Sequence, residues 1–364
     1  MSINKYSKYG DVIFDCVNSI EKPDMEAATR ARARLDKLTK PLGSLGRLED
    51  LVADLAGMTG TPVPRVDRKV VVVMCADNGV VEEGVTQVGS EVTAKVTENF
   101  TKGITCVNVL SELVGARLVV ADIGVKEDVC AKGVLRKKAR NGTSNIAKGS
   151  AMSHDEAVYC IEAGIGVVRE LCDEGVDIIA TGEMGIGNTT TSSAVASVLL
   201  NERPADMIGR GAGLSDEALL RKKEVVKRAI DVNEPDASDP IDVIMKVGGF
   251  DIAGLVGCYL GAAKYKRPIL IDGFISVTAA LAAYRICPET KAYMIPSHAS
   301  VEPGAAYVFR ALGLKPYFDL EMRVGEGTGA VLGFFLVDAA MAAYTRMGTF
   351  EEAEISQYVP QNNN

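Results

Sequence analysis

Tryptophan is absent from this 364-residue sequence, and histidine appears only at His154 and His298. Two histidines are too few for a histidine-rich metal centre. His298 could serve a hydroxyl nucleophile, but no nucleophile-elbow motif accompanies it, which counts against a Ser-His-Asp triad. The eight cysteines are scattered and form no C-x-x-C pair, so they read as reduced core residues and not as a disulfide framework or zinc site. No metal or cofactor is expected. A basic stripe is also missing. The net charge of -8 disfavours a nucleic-acid partner, because nothing would neutralise phosphates along a strand. The longest apolar stretch, Gly329 to Tyr344, is interrupted by Asp338 and falls short of the ~20 residues of a membrane span. It reads as a buried helix. The first residues, MSINKYSKYGDVIF, lack an apolar core followed by a small-residue cleavage site, so a cytoplasmic protein is expected, with only the final PQNNN resembling a disordered tail.

What is present describes a globular α/β chain, with 47% hydrophobic residues, 24% charged residues and 36 glycines. Residues 24–59 are helical in character: Met25 to Leu38 predicts one helix, and Leu48, Leu51, Val52 and Leu55 recur at the spacing of a second. TPVPRVD (Thr61 to Asp67) reads as a linker, which places a boundary between a small helical segment, 1–66, and a large unit, 67–339. From Lys69 short apolar runs end in polar and glycine residues. KVVVVMCADNG, ARLVVADIGV, VDIIATGEMGIGN, RPILIDGF and AYMIPSH predict strands, with helical runs between them. Ser215 is a plausible N-cap for a helix over Asp216 to Ile230. The pattern predicts a Rossmann-like, doubly wound and mostly parallel sheet, in which ligands bind beyond the carboxyl ends of the strands.

That rule gathers the polar strand tails into one site. GEMGIGNTT (Gly182 to Thr190) joins a strand, a glycine turn and a helix start rich in threonine, a ready anion site. It is neither a Walker A loop, since no lysine follows the second glycine, nor G-x-G-x-x-G, so a monophosphate is favoured. Gly209 to Gly213 with Lys222 is a second candidate, with a solvent-exposed Lys222 as the plain alternative. RVGEGTGA (Arg323 to Ala330) sets Glu326 between two glycines ahead of a helix. A carboxylate there can be partly desolvated and act as a general base. The plain alternative is a surface glutamate in a helix-entry turn with Thr328 as N-cap. Asp77, Glu183 and Glu326 together offer carboxylates for ribose hydroxyls or a proton.

The ordered motifs KPLGSLGRLE, ADNGV, EEGVT, GEMGIGNTT, GRGAGL, VGGFDIAGLVG, DGFISVTAAL, PSHASVEPGA and GEGTGA span nearly the whole chain. With them the sequence resembles the nicotinate-nucleotide:dimethylbenzimidazole phosphoribosyltransferase family, which activates the lower ligand of cobamides. The resemblance implies a large α/β domain and a small helical domain built from both chain ends, the latter joined by a C-terminal helix over about 340–358. It implies a dimer, homodimeric or heterodimeric with a paralogue, and no metal. It implies transfer of the 5-phosphoribosyl group from nicotinate mononucleotide to an aromatic acceptor, with inversion to an α-ribotide.

By matching positions, Glu326 resembles the general base and Glu183 the second site carboxylate. Gly185, Gly213, Gly273 and Lys222 resemble positions around the phosphate. Asn188, Thr189, Gly211, Asp272 and Ser300 are implied to hold the nucleotide, and Asp77, Ser90, Met184 and Val324 the acceptor. One departure stands out. Ser90 occupies a position where many relatives carry glutamine, which suggests the phenol/p-cresol branch as an alternative to a benzimidazole acceptor. A catalytically silent paralogue is a further alternative, disfavoured by the retained Glu326.

Overall fold

The computed structural model describes residues 7–357, so the PQNNN tail and the first six residues lie outside it. The chain runs α1 (Asp11–Asn18), α2 (Met25–Leu35), α3 (Arg47–Thr59), β1 (Lys69–Ala76), α4 (Glu91–Thr101), α5 (Cys106–Leu113), β2 (Ala116–Gly124), β3 (Val134–Arg136) and α6 (His154–Asp173). It continues through β4 (Ile178–Met184), α7 (Asn188–Leu200), α8 (Pro204–Met207), α9 (Asp216–Asn233), α10 (Pro240–Val247) and α11 (Phe250–Lys264). The last elements are β5 (Ile269–Ile271), α12 (Phe274–Ile286), β6 (Met294–Pro296), α13 (Pro303–Leu312) and α14 (Thr328–Arg346).

All pairings in the six-stranded sheet are parallel, in the order β3-β2-β1-β4-β5-β6. The chain winds outward from β1 to β3, then returns through α6 to the other side of β1. This places a topological switch point between β1 and β4, the place where open α/β sheets hold ligands. β1 shows why the strands read as continuous apolar runs. Val70, Val72, Met74 and Ala76 enter one core with α6 and α11, while Val71, Val73 and Cys75 enter the other with α3 and α14. Both faces are covered, so no alternation with polar residues survives.

The strongest helix contact lies between α6 and α11. A methyl group added at Gly164 would fall 2.0 Å from the Gly254 carbonyl, and one at Gly257 would fall 2.0 Å from the Ile161 carbonyl. Only glycine permits backbones to approach so closely. α11 is buried from Phe250 to Ala263, and its all-round apolarity hides the helical period, which is why the sequence pattern did not mark it.

Several local expectations are corrected. The helix ahead of the Pro41 turn ends at Leu35 and not at Leu38, where the chain instead bridges to Thr349. The polar stretch 126–148 contains the edge strand β3, and α1 precedes the first expected helix. The helix expected over about 340–358 is the end of α14, which stops at Arg346. Ser215 caps α9 as expected, accepting from the Ala218 N–H at 3.2 Å. The chain ends meet: Thr39 N–H donates to Gly348 O at 3.0 Å, Phe350 N–H to Lys37 O at 2.9 Å, and the Tyr344 hydroxyl to Pro62 O at 2.7 Å.

Candidate active site

A cavity of about 400 Å³ opens at the carboxyl ends of β4, β5 and β6. Its floor includes Glu183, Met184 and Gly185 from the end of β4, and Asn188 and Thr189 from the start of α7. Gly211, Gly213, Lys222, Gly273, Ser300, Val324 and Glu326 also line it. Twelve of the residues singled out from sequence thus share one wall system.

Three others do not line it. Asp272 is buried behind the wall, and its carboxylate accepts from Gly327 N at 3.1 Å and Ala330 N at 3.0 Å. It holds the start of α14 instead of facing a ligand. Asp77 accepts from Lys126 N at 2.7 Å; burial pushes its carboxyl up, and Lys126 N–H, Thr93 and Ser90 beside it oppose that shift. Ser90 therefore sits with Asp77, off the cavity lining.

The loop before α14 is built to present Glu326. Gly325, Glu326 and Gly327 all have positive φ, at 79°, 62° and 93°. For glutamate this left-handed conformation costs about 1 kcal/mol, offset by the packing that imposes it. The loop lies on β4: a methyl group at Gly182 would fall 2.5 Å from Glu326 O. Gly327, and not Thr328, is the N-cap, and the Thr328 hydroxyl instead donates to Gly325 O at 2.8 Å. The Glu326 carboxyl is pushed up by burial, drawn down by the nearby Val107 N–H in the first turn of α5, and pushed up again by Asp272. Its Oε2 is buried without a hydrogen-bond partner among the described residues. One carboxyl oxygen thus stays without a structural partner, as a general base requires.

Under the floor lies a carboxylate that sequence reasoning did not single out. Asp251, at the start of α11, is fully buried, and the Asn188 side-chain amide donates to it at 3.1 Å and also to Glu183. Burial pushes Glu183 up to about 8, with Asp251 and Asp272 adding to it and Asn188 opposing. Burial likewise pushes Asp251 up to about 6. Burial thus biases Glu183 toward its protonated form. The signal for Asp251 was present in VGGFD, a lone acid between two glycines and an apolar run.

The other lobe is an anion cradle. Lys222 is fully buried, and its ammonium donates to Thr189 Oγ1 at 2.8 Å and Gly209 O at 3.2 Å. Burial pulls it down to about 8, and Glu302 opposes that shift. Glu302, also not anticipated, accepts from Gly211 N at 2.8 Å and so pins the glycine strap that faces the lysine. A phosphate at this point would meet a lysine, a threonine hydroxyl and the start of α7.

A doubly wound α/β sheet with a cationic cradle and a partly desolvated glutamate in one cavity defines an enzyme that handles a small anionic substrate. A family profile described as "Phosphoribosyltransferase" matches residues 20–355. The chain is 57% identical over 350 residues to the nicotinate-nucleotide–dimethylbenzimidazole phosphoribosyltransferase of Acetivibrio thermocellus, covering 96% of this chain and 100% of that protein. It is 56% identical to the protein of the same name from Ruminiclostridium cellulolyticum, covering 95% and 98%. A crystal structure of CobT from Thermus thermophilus superposes with a TM-score of 0.87 at 38% identity, covering 92% of this chain and 100% of that one. The chain belongs to the nicotinate-nucleotide–dimethylbenzimidazole phosphoribosyltransferase family, and it is a phosphoribosyltransferase enzyme.

Proposed function

We propose that this enzyme moves the 5-phosphoribosyl group of nicotinate mononucleotide to a dimethylbenzimidazole-type base and releases nicotinate. The observation that carries this reading is the cavity's polarity. An anion cradle at Lys222, Thr189 and Gly211 and the Glu326 carboxyl line one space together with the apolar side chains Val88, Val92, Met184 and Val324. The phosphate belongs in the cradle, with Gly185, Gly213, Gly273 and Ser300 around the ribotide, and the flat acceptor belongs against the apolar wall beside Glu326.

The chemistry fits those roles. The bond from C1′ to the pyridinium nitrogen breaks, and its electron pair leaves with nicotinate as a neutral ring nitrogen. Little acid help is needed. The acceptor nitrogen attacks the opposite face of C1′, which inverts β to α through a transition state of oxocarbenium character. The attacking ring nitrogen brings its own lone pair, and the proton on the acceptor's other ring nitrogen goes to Glu326, which leaves a neutral ribotide base. Glu183, in its ionised form, stabilises the positive charge that develops on the ribose.

Val324 and Met184 remain the acceptor contacts in this reading, while the position of Ser90 beside Asp77 gives no support to a phenolic acceptor. Phenol and p-cresol are therefore the second arm of the test. Purified enzyme with nicotinate mononucleotide is expected to consume dimethylbenzimidazole and give an α-ribotide, identified by NMR of the anomeric proton. Turnover of a phenolic with none of the benzimidazole would reverse the acceptor.

A two-subunit assembly belongs to the same proposal. It is supported by Ile104, Val109 and Leu113, exposed at or beside α5, and Phe335, exposed on α14, two helices that pack together. Sedimentation of the purified chain at one protomer mass would remove the homodimer. The division into a helical segment, 1–66, closed by the end of α14, and a catalytic unit, 67–339, is likewise proposed. The backbone bonds between the chain ends support it.

A further inference from the structure

His298, at the carboxyl end of β6, lines the cavity and takes no part in the mechanism above. It is only 4% exposed, and its seat is built for it. A methyl group at Gly329 would fall 1.9 Å from Nδ1, so the second residue of α14 is glycine where the imidazole passes. Phe318 stacks on the ring with centroids 6.1 Å apart.

The hydrogen bonding fixes the tautomer. Ser297 Oγ lies 3.1 Å from Nδ1 and donates its only proton to Ile271 O at 2.5 Å. The serine oxygen can then only accept from the ring, so Nδ1 carries a proton, and in that tautomer the lone pair of the imidazole is at Nε2. No described residue hydrogen-bonds Nε2, and it is not among the sealed-off polar atoms. Asp272 is near enough to interact electrostatically with the ring, but its carboxylate accepts from Gly327 N and Ala330 N and makes no hydrogen bond to Nε2. The Nε2 edge faces the space in front of Gly273: a methyl group there would sit 4.0 Å from Nε2 and 3.9 Å from Ser300 Oγ.

We propose that His298 is a substrate-binding residue of this site, its Nε2 accepting a hydrogen bond from a ribose hydroxyl of the donor nucleotide. The phosphate already finds donors in Lys222 and the glycine strap. An imidazole lone pair is an acceptor for a sugar hydroxyl that, unlike a carboxylate, brings no negative charge toward the phosphate. This inference rests on nicotinate mononucleotide being the donor.

The test pairs His298→Asn with deoxy donors. Asparagine places its amide where Nδ1 sits and leaves the cavity side empty, whereas His298→Gln reaches toward the Nε2 position. With nicotinate mononucleotide, His298→Asn is expected to lower kcat/KM about tenfold through KM, the size of one hydrogen bond, with the KM of the acceptor unchanged. His298→Gln should recover part of the loss. Either the 2′-deoxy or the 3′-deoxy donor should be processed equally by wild type and His298→Asn, because the lost partner is then missing on both sides. A tenfold gap that persists with both deoxy donors, or that vanishes only with nicotinate riboside, would overturn the hydroxyl contact; the latter points to the phosphate. If His298→Asn melts early, the same cycle is run with His298→Ala below its melting range. Failure of wild type to release nicotinate from its mononucleotide would instead remove the donor reading and this inference with it.

Discussion

The two lobes of the cavity solve one problem with opposite charges. On the floor, Glu183 sits among Asp251 and Asp272 and is pushed up to about 8. In the cradle, Lys222 donates to a hydroxyl and a carbonyl, and burial pulls it down to about 8 against the opposing charge of Glu302. Burial is the first cause of both shifts, because a low-dielectric surrounding penalises whichever form is charged. Both groups are thus moved toward their neutral forms in the empty site. An arriving phosphate favours the ammonium, and a developing oxocarbenium favours the carboxylate, so the substrate supplies the countercharges that folding left out.

The sharpest way to break this comparison is at the carboxylate that belongs to neither lobe's resting network. Glu326→Gln is expected to lower kcat by about 10²–10⁴-fold with little change in KM for nicotinate mononucleotide, because only proton removal is lost. Nicotinate release followed by liquid chromatography reads this, and unchanged release would refute Glu326 as the base. Next comes the cradle. Lys222→Met keeps the volume and removes the charge, and it should lower kcat/KM for the mononucleotide by about 10–100-fold through KM, with the acceptor KM unchanged. An equal effect on both substrates would mean that the lysine is structural.

Smaller effects separate the rigid floor from the open strap. At Gly185 a methyl group would fall 2.4 Å from Ala76 O, against backbone that cannot give way. Gly185→Ala should destabilise by about 1–3 kcal/mol in thermal unfolding. At Gly213 the nearest atom is the Gln87 side chain at 3.7 Å, so Gly213→Ala carries only the strain of its φ of 111° and should cost less. Per pH unit, the smallest effect is on pH dependence. A carboxyl raised in the folded state makes the native protein bind more protons than the unfolded chain, so stability falls as pH rises from about 4.5 toward 8. The slope per proton is at most about 1.4 kcal/mol per pH unit, and Glu183→Gln should flatten it in urea melts at stepped pH.

Much of the site was legible because its residues follow strand ends. Gly185, Asn188 and Thr189 were found through a strand, a glycine turn and a threonine-rich helix start, a pattern with a local physical meaning. Glu326 stood out because two glycines flank it. Asp251 and Glu302 were harder, since each acts by reaching a neighbour far along the chain, Asn188 in one case and Gly211 in the other. Asp272 was assigned to the ligand because it ends a strand as the others do. Its actual bonds go to the start of α14, which no reading of β5 alone could show.

The linear pattern was sufficient for the parallel sheet, the switch-point rule and the family, because apolar runs buried on both faces and glycine turns at strand ends are encoded within a few residues of each other. Only the folded chain decided which carboxylate stays free and which is spent. The depth of Lys222 and the direction in which Ser90 faces were settled there too. Those outcomes depend on distances between residues separated by tens to hundreds of positions. Desolvation, which moves Glu183 and Lys222 toward neutrality, exists only once the two cores close around them.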